Sequence, residues 1–129
     1  MATTNLIDKL VENSQFAYVP YSHFPVSALL VTKSGEIYTG VNIENASFGL
    51  TNCAERTAIF KAVSEGVLDF TEILIYGETE QPISPCGACR QVMAEFFNPD
   101  LKVTLVAKDK STVETTVGEL LPYSFTDLK

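Results

Sequence analysis

The chain has 129 residues, 46% hydrophobic and 19% charged, which is the composition of a folded domain and excludes a disordered chain. Nine basic residues against 16 acidic ones give a formal charge of −7. So few cations cannot build the basic patch that long nucleic acids demand, nor one that holds an anionic membrane. The expected partner is a small molecule close to neutral, with no nucleic acid and no membrane.

Met1-Ala2-Thr3-Thr4-Asn5 has neither the basic cluster nor the apolar core of a secretory leader. The longest apolar runs, near residues 28–31 and 73–76, are strand-sized and far short of a membrane span. The expected location is the cytoplasm, where cysteines rarely form structural disulfides. Three cysteines are also an odd number for a disulfide framework.

Leu6, Leu10, Val11 and Phe16 fall near helical spacing, which predicts a helix over residues 5–18 that stops before Pro20. Residues 26–32 read as a strand, Lys33-Ser34-Gly35-Glu36 as a turn, and 37–43 as the return strand of a hairpin. Small and polar residues predict a loop over 46–52. A helix is expected over 53–65, with Thr51 and Asn52 as candidate N-caps and Gly66 as its stop. Its apolar face is Ala58, Ile59, Ala62 and Val63. Residues 72–77 read as a short, nearly continuous apolar strand of the buried kind. Past Pro82 and Pro85, a helix over 86–97 should bury Val92, Met93, Phe96 and Phe97 and end before Asn98-Pro99. Strands over 101–107 and 112–117 and a short helix over 117–121 complete the pattern. The order predicts one α/β domain over residues 1–129: a three-layer α/β/α sandwich around a mixed sheet of about five strands.

The chemistry concentrates in Cys53-Ala54-Glu55 and Pro85-Cys86-Gly87-Ala88-Cys89-Arg90. Cys86 and Cys89 lie one helical turn apart on one face, as a thiolate pair gripping one metal would. Cys53 opens the other helix. Both helix starts offer positive partial charge, which favours thiolate. If the two helices start side by side, three sulfurs converge. A structural zinc site is closed by four ligands, whereas a catalytic site keeps one position open. No fourth cysteine exists, and the single histidine, His23, sits in another segment. Zinc with an open position makes hydroxide available near neutral pH. Glu55 is two residues from Cys53, close enough to carry protons without being a ligand. Other readings fit parts of the pattern. A lone C-x-x-C suits a redox pair, and Glu55 suits any first helical turn. A zinc-stabilised binding protein would also need the cysteines. Neither a redox pair nor a bare helix start uses the cysteine, the glutamate and the Pro-Cys-x-x-Cys together, the combination found in zinc nucleobase deaminases.

At these residues the chain resembles the small, all-cysteine class of cytidine deaminases. The likeness extends through Pro20-Tyr21-Ser22-His23-Phe24-Pro25-Val26, Asn42-Ile43-Glu44-Asn45-Ala46-Ser47, Cys53 to Ala58 and Ser84 to Gln91. It implies that Cys53, Cys86 and Cys89 hold one Zn2+ per chain and that Glu55 is the catalytic proton carrier, in contact with ring N3. It implies stacking of Phe24 on a pyrimidine, with Asn42 and Glu44 on ribose hydroxyls. The N–H of Ala54 and the carbonyl of Ser84 are expected at the base and the departing amine. Arg56 is expected to donate to the sulfurs of Cys53 and Cys86. Arg90 is either a surface charge or a partner of the metal site, and His23 a surface residue.

The implied reaction is hydrolysis of cytidine and 2′-deoxycytidine to the uridine compounds and ammonia, in pyrimidine salvage. Glu44 favours a nucleoside over a nucleotide, since a carboxylate accepts from a sugar hydroxyl and repels phosphate. A cytosine-bearing antibiotic is the same-class rival. The family also implies a homotetramer, with Phe125 closing a neighbour's site. Two positions depart from the family pattern: Ser27 replaces a usual glycine, and Phe48, within the expected substrate-binding set, replaces a common tyrosine and lacks its hydroxyl.

Overall fold

Leu6, Ile7 and Leu10 stand on one side of the first helix, α1 (Thr3–Asn13), and all three are buried. The computed structural model describes residues 3–126. The strands are β1 (Val26–Thr32), β2 (Ile37–Val41), β3 (Phe70–Gly77), β4 (Lys102–Val106) and β5 (Thr112–Thr116). The remaining helices are α2 (Ala54–Ser64), α3 (Gly87–Phe96) and α4 (Val117–Leu120).

The strands form one five-stranded sheet in the order β2-β1-β3-β4-β5. β1 is antiparallel to β2 and β3, β3 is parallel to β4, and β5 returns antiparallel. The sheet is therefore mixed, as expected. Alternation along the strands divides the core in two. Leu29, Leu74, Tyr76 and Val106 meet Leu6, Ile7 and Leu10 of α1. Ala28, Leu30, Ile73, Ile75, Val103 and Leu105 meet Ala58, Ile59 and Ala62 of α2 and Met93 of α3. The layers are unequal: one helix covers one face, and α2, α3 and α4 cover the other. No helix among the described residues is long and apolar enough to cross a membrane.

Several boundaries differ from expectation for local reasons. α1 stops at Asn13, and Ser14–Phe16 tightens into a 3-10 turn. That turn swings Phe16 off the buried face, leaving it 69% exposed. β2 ends at Val41, although Ile43 still bridges to Tyr18 and Asn52. The predicted loop holds a 3-10 turn at Phe48–Leu50. Neither Thr51 nor Asn52 caps α2; Cys53 does, and Asn52 instead donates from Nδ2 to the Thr57 hydroxyl over 3.1 Å. Gly66 follows α2 with φ +86°, the left-handed position that glycine adopts without strain. Val63, Val92 and Phe96 are half-buried at the edge of the core.

α3 is the crossover between the parallel strands β3 and β4. The chain leaving the carboxyl end of β3 therefore delivers Cys86 to the start of α3, where α/β sheets place ligands.

Leu10 is fully buried on the α1 face, remote from the cysteines in the fold. Leu10→Ala should lower unfolding free energy by about 2–5 kcal/mol, read from denaturant titration, while the protein keeps its native far-ultraviolet spectrum.

Candidate metal centre and active site

Cys53 and Cys86 are the N-cap residues of α2 and α3, each in an extended conformation. Neither side chain makes a capping bond to its helix, and both sulfurs sit at helix starts rich in unpaired N–H groups. Cys89, in the first turn of α3, is fully buried. The Sγ atoms of Cys53 and Cys86 are 3.8 Å apart, those of Cys86 and Cys89 are 3.3 Å apart, and all three lie within 4.8 Å of one another. Tetrahedral zinc with ligands at about 2.3 Å sets its sulfurs near 3.8 Å apart. The donor set and its spacing fit zinc, and they leave a fourth position for a non-protein ligand. It is the one such cluster among the described residues.

Charge is distributed unevenly over this cluster. A hydrogen bond from Cys89, and then the Arg56 guanidinium, outweigh burial and pull the Cys53 thiol down to about 5. The same contact with Cys53, added to burial, pushes Cys89 up. Arg56 donates from Nη2 to Cys53 Sγ over 3.2 Å. Cys53 first, and Cys89 after it, hold the guanidinium in its charged form. Cys89 is the buried thiol and Cys86 the exposed one, so the half-buried guanidinium meets the inner pair. Arg56 Nε is buried without a partner among the described residues.

Glu55 is only 4% exposed, and burial pushes its carboxyl above the ordinary carboxylate range. Ala54 is fully buried beside it. Ser84 is exposed in the loop before the buried Pro85.

A second group of expected residues assembles around the segment 20–25. Asn42 accepts from Val26 N at Oδ1 and donates from Nδ2 to the Phe24 carbonyl, both over 2.9 Å. Glu44 accepts from the N–H groups of Tyr21 and Ser22 over 3.0 and 3.1 Å, and from the Ser22 hydroxyl. That hydroxyl holds the Glu44 carboxyl below its usual range. Both side chains thus shape the loop that presents Phe24. Each keeps spare capacity, because an amide offers two N–H groups and a carboxylate about four acceptor positions. Tyr21 meets Phe48 edge to face, with ring centres 6.0 Å apart, and the two line a groove of about 380 Å³ with Ser22, Glu44 and Thr51.

Paired bonds between Ile43 and Asn52, each 2.9 Å, tie this loop to the start of α2. Phe125 joins neither group through any described hydrogen bond or ring contact; it is 62% exposed, and its carbonyl accepts from Gln91 Nε2 over 2.9 Å. His23 is exposed with φ +56°.

Three features lay beyond the sequence reading. Ser22 secures Glu44 through a contact that no spacing rule announces. Arg90 is neither a surface charge nor a sulfur partner: it donates to the Pro85 and Leu120 carbonyls, each over 2.8 Å. Ser27, the departure from glycine, is fully buried and accepts from Asn13 Nδ2 over 3.3 Å, so its hydroxyl is satisfied.

Residues 2–105 match the model of the cytidine and deoxycytidylate deaminase zinc-binding region. The chain belongs to this deaminase family. A cytidine deaminase of Halalkalibacterium halodurans is 54% identical over 121 residues, spanning 94% of this chain and 92% of the relative. One from Sporosarcina psychrophila is 52% identical over 123 residues, spanning 92% and 90%. The crystal structure of a cytidine deaminase from Burkholderia pseudomallei superposes with a TM-score of 0.93 at 47% identity, covering 97% of this chain and all of the other. The match places the deaminase's three sulfurs within a zinc-binding region, in agreement with their geometry.

Three thiolates would give a bound Zn2+ a formal surplus of negative charge, and the helix starts and the Arg56 guanidinium lie where they would offset it. Arg56→Gln should leave the deaminase folded, lower turnover by about 10–100-fold and speed zinc loss to a chelator, measured as metal content after timed dialysis.

Proposed function

We propose that this deaminase hydrolyses cytidine and 2′-deoxycytidine to uridine and 2′-deoxyuridine with release of ammonia. The observation that carries the reading is Glu55, buried in the first turn of α2 two residues from a sulfur of the metal cluster. Cys53, Cys86 and Cys89 would hold zinc, which would supply the Lewis acidity that makes hydroxide available near neutral pH.

The chain's own groups do the rest. Glu55 takes a proton from the attacking water and gives one to ring N3. Oxygen bonds to C4 and the carbon becomes tetrahedral. Glu55 then takes the proton of the new C4 hydroxyl and delivers it to the amine; the C4–N bond breaks as the C4 carbonyl forms, and ammonia leaves. A carboxyl whose proton affinity is raised by burial suits this two-way traffic. Asn42 and Glu44 hold ribose hydroxyls with their spare capacity, and Phe24 stacks on the base. The Ala54 N–H and the Ser84 carbonyl orient the base and amine, and Phe48 borders the sugar. A free nucleoside suits Glu44 and the net charge of −7; a phosphate does not.

We assign the enzyme to cytoplasmic pyrimidine salvage as a homotetramer with shared sites. Phe48 and Leu50, 74% and 71% exposed, support a surface covered by other copies. The 62% exposed Phe125 is read as the aromatic ring that one copy lends to its neighbour's pocket.

Loss of cytosine absorbance on incubation with cytidine tests the activity, with zinc quantified on the same sample. Glu55→Gln keeps the side chain's size and removes the proton carrier. It should cut turnover by about 10⁴-fold, the upper end for general acid–base catalysis, and retain zinc. Near-normal turnover in this variant would sink the mechanism.

Phe125→Ala should weaken substrate binding by about 1–3 kcal/mol if its ring stacks in a neighbour's site. Mixed with Glu55→Gln chains under conditions of verified subunit exchange, it should regain activity, because one hybrid site then has both groups. Absence of rescue would return Phe125 to its own chain.

A further inference from the structure

We infer that Gly40 is a positioning residue for Glu55: its bare Cα is the seat that sets the height of the first turn of α2. The inference rests on the reading of Glu55 as the proton carrier.

Gly40 lies in the edge strand β2, opposite Ala28 of β1. Ala28 is fully buried on the face covered by α2, so position 40 faces that helix too. A Cβ there would lie 2.5 Å from the Ala58 nitrogen, 2.6 Å from the Ala54 carbonyl oxygen and 3.0 Å from Thr57 Cβ. The first two atoms are the donor and acceptor of the i to i−4 hydrogen bond that closes the turn holding Glu55, Arg56 and Thr57. A methyl group would land on that bond. Ordinary contact begins near 3.4 Å, so strand and helix would have to part by 0.8–0.9 Å. The obstructing atoms are backbone, and no rotamer change clears them. Backbone conformation gives no other reason for glycine here, because the positive-φ glycines are Gly35 and Gly66.

The strand side of this contact is braced. β2 pairs with β1 along its length, and Asn13, at the end of α1, donates to the Gly40 carbonyl over 3.4 Å and to buried Ser27 over 3.3 Å. The brace comes from the opposite layer of the sandwich. A methyl group at position 40 would press on the first turn of α2, which carries Glu55 and, at its N-cap, Cys53. Cys86 and Cys89 ride on α3 and stay in place. A misplacement near 1 Å typically costs a reaction about 10²-fold.

The test compares wild type, Gly40→Ala, Glu55→Gln and Leu10→Ala by kcat, KM, zinc content and melting temperature. Leu10 is buried in the α1 layer and controls for lost stability alone. Gly40→Ala should lower kcat per bound zinc at least 10-fold, and Leu10→Ala should keep the wild-type kcat at a temperature where both are folded. Gly40→Ala with wild-type kcat, or with a change only in KM or melting temperature, overturns the inference. If Gly40→Ala does not fold, Asn13→Ala removes the brace and keeps the glycine. It should then lower kcat with zinc retained, and an unchanged kcat overturns the inference. An inactive wild type or an active Glu55→Gln fails the reading of Glu55, and the seat for it falls with that reading. An active wild type beside an unimpaired Gly40→Ala fails the seat alone.

Discussion

The molecule depends on two helices that begin at the same point. Helix starts carry unpaired N–H groups and a partial positive charge, and most proteins cap them with Ser, Thr, Asp or Asn. Here a cysteine occupies both N-cap positions, with a third one turn inside. Sulfur gives up the cap bond and gains a metal. The price is two under-capped helices, and the sandwich compensates by burying Ala58, Ile59 and Ala62 of α2 and Met93 of α3 against three strands. Packing, rather than capping, holds the helix starts together, and it lets one face serve as both core and metal support.

The same economy runs through the segment over residues 20–25. Asn42 and Glu44 each hold the chain that presents Phe24 while keeping positions for a ligand. Binding therefore does not have to order that loop first. Ligand contacts added to bonds that already exist cost less conformational entropy than contacts that must create the loop.

The sequence carried the elements whose signals are local. Hydrophobic periodicity gave every strand and the larger helices, and alternation gave the mixed sheet. The cysteine and glutamate pattern gave the metal cluster, because spacing within a helix turn fixes which side chains can meet. The misplaced details are those decided by particular contacts that hydrophobic spacing and residue type do not encode. Phe16 follows helical spacing, yet a tightened turn exposes it. Asn52 is a good cap by type, yet Thr57 claims its amide. The tight approach of Gly40 to α2 was also illegible, since a glycine in a strand does not say which backbone it touches.

Arg90 and Gln91 hold the C-terminal segment through the carbonyls of Leu120 and Phe125. Every residue has a carbonyl, so this grip is blind to the side chains it holds. Residues in that segment can be exchanged without loosening it, while the two donors, directly after a metal ligand, cannot. The fold thus separates a constant anchor from a variable display. A protein built this way can revise what its tail offers to a neighbour, one side chain at a time, with the metal centre undisturbed.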